Sequence, residues 1–155
     1  MASIRVSAKA VIIKEGKILL LKHEDEQGDW YSLPGGGQNH GEKLSEALIR
    51  ECREEIGTTV KVEEVLFIRD YIADNHEFKD EDPGAHQLEI MFECVLPEQY
   101  FPRNGTNPDS TQKGVLWVKL AELSNIRLFP KELIVHLQNN GDNFNRSKIY
   151  LGDVN

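Results

Sequence analysis

Three glutamates, Glu51, Glu54 and Glu55, fall within the run Arg50-Glu51-Cys52-Arg53-Glu54-Glu55. On a helix Glu51 and Glu55 are neighbouring like charges at i, i+4, which weakens an isolated helix by a few tenths of a kcal/mol. A hard divalent cation reverses the sign of that interaction. Mg²⁺ or Mn²⁺ prefers carboxylate oxygens and leaves room in its shell for water and substrate phosphates. Arg50 lies beside the stripe, within i+4 reach of Glu46 and Glu54. Just upstream stands Pro34-Gly35-Gly36-Gly37, glycines of the kind that let a backbone approach phosphate. A charged helix face alone is most often simply solvated. A glycine run leading into a glutamate-rich helix is far more specific.

These side chains need a helix to position them. Helix formers run from Glu42 to Ile56 without proline or glycine, and Gly57 stands where a C′ glycine ends a helix. At about 100° per residue, Leu48, Ile49, Cys52 and Ile56 share one side, the expected buried face.

Upstream, Ile4, Val6, Ala8, Ala10 and Ile12 alternate with Arg5, Ser7 and Lys9, the period of a half-buried strand. Glu15-Gly16 reads as a hairpin turn and Ile18 to Leu21 as a buried central strand. His23 to Asp29 reads as a solvated acidic loop, and Trp30 to Leu33 as a short strand feeding the glycines. Downstream, Thr59 to Arg69 reads as a long strand and Tyr71 to His86 as an acidic loop. Leu88 to Cys94 reads as a strand with Glu89, Met91 and Glu93 on a mainly polar face, and Pro97 to Lys113 as a second long connection. Val115 to Val118 is a short strand, and Leu120 to Leu123 a helical turn. A helix with Pro130 as its first residue runs to about Gln138. Gly141 to Ser147 is a polar linker, and Ile149 to Leu151 docks back on the domain or on a partner subunit. The pattern gives an α/β or α+β class, a mixed sheet between helices, with 1–155 as a single domain.

Gly36, five residues, Glu42, seven residues and then Arg50-Glu51-Cys52-Arg53-Glu54-Glu55-Ile56-Gly57-Thr58 resembles the Nudix box of the Nudix hydrolases. Gly36, Glu42, Arg50, Glu51, Glu54, Glu55 and Gly57 fill its fixed positions, while Cys52 and Thr58 stand where the family usually carries bulky aliphatic residues. The resemblance implies a Nudix-like α/β/α sandwich with a mixed central β-sheet. It implies an enzyme cleaving a phosphoric anhydride in a nucleoside diphosphate linked to a group X, such as a nucleoside triphosphate or a nucleotide sugar. Glu51, Glu54 and Glu55 would then ligate Mg²⁺ or Mn²⁺, with the Gly35 carbonyl completing the shell.

By the same resemblance Arg50 orients a catalytic carboxylate, and Glu42 is an anchor near the helix start. The general base is a box glutamate, Glu54 being the choice, or a later carboxylate, for which Glu89, Glu93 and Asp109 are candidates. Gly36 and Gly37 are candidate substrate contacts, and Lys9 or Arg5 a candidate phosphate contact. Trp30 has two readings, a core aromatic or a platform for a base. Some subfamilies carry a proline or tyrosine past the box, about Ala73 to His76 here; neither occurs, so ADP-ribose, dinucleoside-polyphosphate and coenzyme A assignments lack support and the resemblance leaves X open. Two other classes stay open as well, an RNA 5′-end pyrophosphohydrolase and a non-catalytic nucleotide sensor. The complete glutamate set speaks against the sensor.

The chain has 155 residues and a net charge of −8, which argues against a wide basic face for long nucleic acid. A small nucleotide is still accessible, because a local metal ion outweighs the overall field. Cys52 and Cys94 read as small buried hydrophobes, which fits a reducing compartment, and a cytoplasmic location is expected. No stretch is long and apolar enough to span a membrane, and Met1 to Ser7 has no signal-peptide core. His23, His40, His76, His86 and His136 form no zinc spacing. GxSxG and Walker motifs are absent, which disfavours acyl transfer and a P-loop NTPase. A homodimer is the expectation for assembly, by resemblance.

Overall fold

The computed structural model describes residues 2–140 and 148–155; the linker expected over residues 141–147 lies outside them. The strands are β1 (Arg5–Val11), β2 (Ile13–Lys14), β3 (Lys17–Asp25), β4 (Gly28–Ser32), β5 (Gly35–Gly37), β6 (Lys61–Ile72), β7 (His86–Val95), β8 (Gln112–Lys119) and β9 (Tyr150–Asp153). The helices are α1 (Leu44–Ile56) and α2 (Glu132–Asn140). One sheet has the order β5-β1-β7-β6-β9 and is mixed, with β1 parallel to β7 and β6 parallel to β9. The other joins β2, β3 and β4, with β8 on β3, all antiparallel.

Strand alternation sends side chains to two cores. From β3, Ile18 and Leu20 pack with Leu133 and Leu137 of α2, whereas Leu19 and Leu21 pack with Leu48, Cys52 and Ile56 of α1. β7 divides likewise, Met91 on the α2 side and Ile90 and Phe92 on the α1 side. The helices therefore flank the β layer on opposite faces, the expected α/β/α arrangement, with that layer made of two sheets.

The hairpin between β2 and β3 turns at Glu15 (φ 52°) and Gly16 (φ 74°), the positive pair that matches the strands' own twist. The solvated loop expected over His23 to Asp29 is corrected. β3 continues to Asp25, β4 starts at Gly28, and His23 is buried. A polar ring is tolerated there because Thr111 Oγ1 and Ser32 Oγ each lie 2.8 Å from one of its nitrogens. The polar face expected for β7 is corrected too: Glu89 and Met91 are both buried. Glu89 is compensated by Arg69 of the adjacent β6 at 2.6 Å, and Met91 faces the α2 core. α2 starts at Glu132 rather than Pro130. The chain's end docks on the domain, with β9 beside β6 and Leu151 buried.

Candidate active site

α1 turns Ala47, Leu48, Cys52 and Ile56 into the core, which leaves Glu51 and Glu54 half-buried at its edge and Glu55 buried. The Glu46 carboxylate accepts the Lys43 amide hydrogen at the helix start, a reciprocal use of a first-turn acid. Gly57 (φ 72°) ends the helix, its N–H donating to the Cys52 carbonyl. The last carbonyls are then taken by the segment between β7 and β8. Glu54 O accepts from Asn107 N at 2.9 Å and Glu55 O from Gly105 N at 3.0 Å. Ile56 O accepts from the Tyr100 hydroxyl at 2.9 Å, and Gly57 O from Arg103 Nη2 at 2.6 Å. That clasp carries Asp109 to the same cavity as the glutamates.

The three glycines serve close approach of the protein to itself. A Cβ on Gly36 would lie 2.5 Å from the Glu51 carboxyl carbon, and one on Gly37 would lie 2.5 Å from Arg5 Nη2. Gly35 (φ 133°) lies against the Ala8–Lys9 backbone, where a side chain has no room. The glycines therefore have a packing role beside the phosphate approach expected of them. Gly35, Gly36 and Gly37 do line the cavity, and their missing side chains seat a carboxylate, a guanidinium and a neighbouring strand.

Arg50 ties the site together. Its Nε and Nη2 donate to the two Glu42 oxygens at 3.0 and 2.9 Å, Nη1 to Glu51 Oε1 at 2.9 Å, and Nη2 to Gly37 O at 3.0 Å. Glu54 Oε2 lies farther away, 3.7 Å from Nη1. The expected pairing with Glu46 gives way to this set, since Glu46 caps the helix instead. The guanidinium holds the Glu42 carboxyl below its usual range. Gly35 N–H donates to Glu55 Oε1 at 2.7 Å. Burial pushes the Glu55 carboxyl up to about 7, against the pull of Lys9 and of that amide. The Gly35 carbonyl accepts from Lys9 Nζ at 3.3 Å, so an ammonium stands where the resemblance puts a metal ion.

Among the described residues no three imidazole, thiolate or carboxylate groups converge closely enough to hold a metal as they stand. The chemistry of the donors still fits a hard cation: three carboxylates and a backbone carbonyl on one wall, with a cation already resting on that carbonyl.

The cavity measures about 1050 Å³. Glu51, Glu54, Glu55 and the glycines share it with Arg5, Ser7 and Lys9 of β1 and with Arg69 and Glu89. Trp30, Phe78 and Phe129 supply aromatic surface, and Glu24, Glu26, Glu81 and Asp82 supply carboxylates. Trp30 is half-buried and stacks on His23, ring centroids 4.0 Å apart, with Phe129 edge-on at 6.1 Å. Burial lowers the His23 pKa, opposed by nearby Asp109. Of the later carboxylate candidates, Glu89 and Asp109 reach the cavity; Glu93 lies on a separate groove beside Trp117. Arg69, His23, Ser7 and Phe129 are site residues that the sequence reading passed over. Only Arg69 carried a signal, as a charge inside a strand otherwise rich in Val, Leu, Phe and Ile.

A NUDIX domain model matches residues 3–137. The chain is 34% identical over 88 residues to the ADP-ribose pyrophosphatase of Methanocaldococcus jannaschii, covering 56% of this chain and 48% of that protein. It thus spans about half the length of that relative. It is 31% identical over 118 residues to the nucleoside triphosphatase NudI of Escherichia coli O139:H28, covering 73% of this chain and 80% of that one. Among solved structures, a NUDIX hydrolase from Nitrosomonas europaea shares the fold with a TM-score of 0.69 at 20% identity, over 92% of this chain and 93% of that chain. A match over residues 3–137, which include the box whose glutamates line the cavity, means that this chain belongs to the NUDIX family.

Proposed function

We propose that the chain is a metal-dependent hydrolase of phosphoric anhydride bonds, acting on a nucleoside diphosphate linked to a group X. The observation that carries the reading is a single cavity in which Glu51, Glu54 and Glu55 meet the Lys9 ammonium and the Trp30 ring. Glu51, Glu54, Glu55 and the Gly35 carbonyl would hold Mg²⁺ or Mn²⁺. Such an ion neutralises phosphate charge and lowers the pKa of water. Arg50 keeps the Glu51 carboxylate aimed by bracing it against Glu42. Glu54 is the least restrained of the three, its carboxylate having among the described residues only the 3.7 Å approach to Arg50, and takes the proton from the attacking water. Lys9 supplies a point charge for the phosphates. Trp30, backed by His23, offers an aromatic platform for the nucleobase. The two relatives named above act, by their names, on ADP-ribose and on nucleoside triphosphates. Both substrates are nucleoside diphosphates carrying an X. Buried, unpaired Cys52 and Cys94 fit a reducing compartment such as the cytoplasm.

The test is release of phosphate and pyrophosphate with Mg²⁺, for wild type, Glu54→Gln and Asp109→Asn side by side. The panel holds nucleoside triphosphates, ADP-ribose, nucleotide sugars, dinucleoside polyphosphates and triphosphorylated RNA. Turnover that falls about 10²- to 10⁴-fold in Glu54→Gln, as loss of a general base gives, supports the reading. A Glu54→Gln protein working near the wild-type rate removes Glu54 from its role, and silence across the panel overturns the hydrolase.

A further inference from the structure

One row of residues crosses the five-stranded sheet at the cavity. By register, Gly37 pairs with Ser7, Ser7 with Glu89, and Glu89 with Arg69, so Ser7, Glu89 and Arg69 share one face. Ser7 is 1% exposed, and its Oγ has no hydrogen-bond partner among the described residues. A buried hydroxyl left unpaired is destabilising, so its presence on a cavity wall points to a ligand. Beside it, Arg69 Nε donates to Glu89 Oε2 at 2.6 Å, and Arg69 Nη1 to Val154 O at 2.6 Å and Asn155 Oδ1 at 3.1 Å. This fixes a guanidinium and a carboxylate side by side. Arg69 Nη2 and Glu89 Oε1 are left without a hydrogen bond among the described residues. Gln87, one step along β7 on the same face, adds an amide to the cavity wall.

We propose that Ser7, Glu89 and Arg69 form the subsite for X, and that X is a neutral, hydroxyl-rich group, the glycosyl unit of a nucleoside diphosphate sugar. This rests on the hydrolase reading above. Hydroxyls both donate and accept, and this wall offers a donor, an acceptor and a hydroxyl in fixed places. A terminal phosphate fits worse. The charge of Arg69 is already cancelled by Glu89, and the two other cations of the cavity wall, Arg5 and Lys9, stand against Glu51, Glu54, Glu55, Glu81 and Asp82. Room is available, since about 1050 Å³ slightly exceeds the range of roughly 300–1,000 Å³ for small-molecule sites.

The experiment compares kcat/KM for nucleoside diphosphate hexoses with that for the triphosphates of the same bases, in wild type, Ser7→Ala and Glu89→Gln. Ser7→Ala removes an unpaired hydroxyl, so it leaves the melting temperature unchanged or raised, and folding does not cloud the result. The wild type is expected to prefer the hexose substrate. The hexose-to-triphosphate ratio falls about three- to tenfold in Ser7→Ala, the worth of one hydrogen bond of about 1 kcal/mol, and at least as far in Glu89→Gln. Triphosphate turnover without hexose preference, or equal losses on both substrates, overturns the subsite and leaves the hydrolase standing. Calorimetric binding of the hexose compounds covers the case in which no anhydride is cleaved. Binding weakened by Ser7→Ala, relative to the bare nucleoside diphosphate, then keeps the subsite while the hydrolase reading falls. Absence of both turnover and binding sinks both.

Discussion

Glu55 accepts the Gly35 amide hydrogen at 2.7 Å, and this one bond fastens the buried end of the glutamate stripe to the glycine strand. The contact makes Glu55 a pH-dependent element in the metal-free protein. Burial raises its pKa from 4.5 to about 7, so the folded state binds more protons than the unfolded one between those values. Stability from this group therefore falls as pH rises through the window. With a change of roughly 1.4 kcal/mol per pKa unit, the loss amounts to at most about 3.5 kcal/mol. Melting in EDTA at pH about 5 and about 8 checks this against Glu55→Gln, which keeps an oxygen for the Gly35 amide. The wild type loses more on going to the higher pH, and Mg²⁺ stabilises it more there. Parallel profiles for the two proteins would remove Glu55 as the source.

The glycines divide by what their missing side chains admit. The three atoms nearest a Cβ on Gly36 all belong to the end of the Glu51 side chain, which can move aside. Gly36→Ala is expected to fold with a melting temperature lowered by no more than about 2–4 °C, the effect of roughly 1 kcal/mol in a domain of this size. Its Mg²⁺ affinity falls about 10- to 100-fold, as disturbance of a ligand's support does. A Cβ on Gly35 meets the backbone of Ala8 and Lys9 at a positive φ, so Gly35→Ala loses β5 pairing and most of its soluble expression. Calorimetric Mg²⁺ titration and thermal melting of both variants separate the two cases; equal damage would contradict the division.

Arg50 bonds Glu42 through two nitrogens while reaching Glu51 and Gly37, a geometry that only a planar fork provides. Arg50→Lys keeps the charge and loses the fork. It is expected to cut kcat about 10- to 100-fold, with KM changed less, because the Glu51 carboxylate is no longer braced. Steady-state kinetics on the best substrate of the panel measure the split. A lysine variant with wild-type kcat would show that charge alone suffices.

α1 and its chemistry were legible because both are local. The spacing of Leu48, Cys52 and Ile56, the stop at Gly57, and the glutamates all lie within about three turns of one helix. The central strand Ile18 to Leu21 was legible because burial on both faces leaves a continuous apolar run. Arg69 and Glu89 were not, since their pairing arises only from the register of β6 on β7. Glu89 reads from the sequence as a polar-face acid and a candidate base, because its arginine partner is not adjacent in the chain. His23 was lost to the acidic run that follows it, and one of its two partners, Thr111, lies 88 residues away. The reason for Gly36 and Gly37 was hidden for the same cause, as Arg5 reaches Gly37 only across the sheet.

Gln112 tests whether the clasp on α1 sets the active site or merely closes the helix. It is 7% exposed; its amide donates to Glu55 O at 2.8 Å and Asn104 Oδ1 at 2.9 Å, and its carbonyl accepts from Asp109 N at 3.3 Å. Gln112→Glu keeps the shape but turns the two donated bonds into oxygen facing oxygen. The cost is about 1–3 kcal/mol for acceptors left buried and unpaired, a drop in melting temperature of the order of 5 °C at 2–4 °C per kcal/mol. Because the Glu55 carbonyl belongs to the helix edge that carries the glutamates, Mg²⁺ affinity falls with it. Gln112→Glu melting lower but binding Mg²⁺ like the wild type would make the clasp structural only. Loss of Mg²⁺ affinity below the melting transition makes the loop a positioning element for Glu54 and Glu55, whose carbonyls it holds.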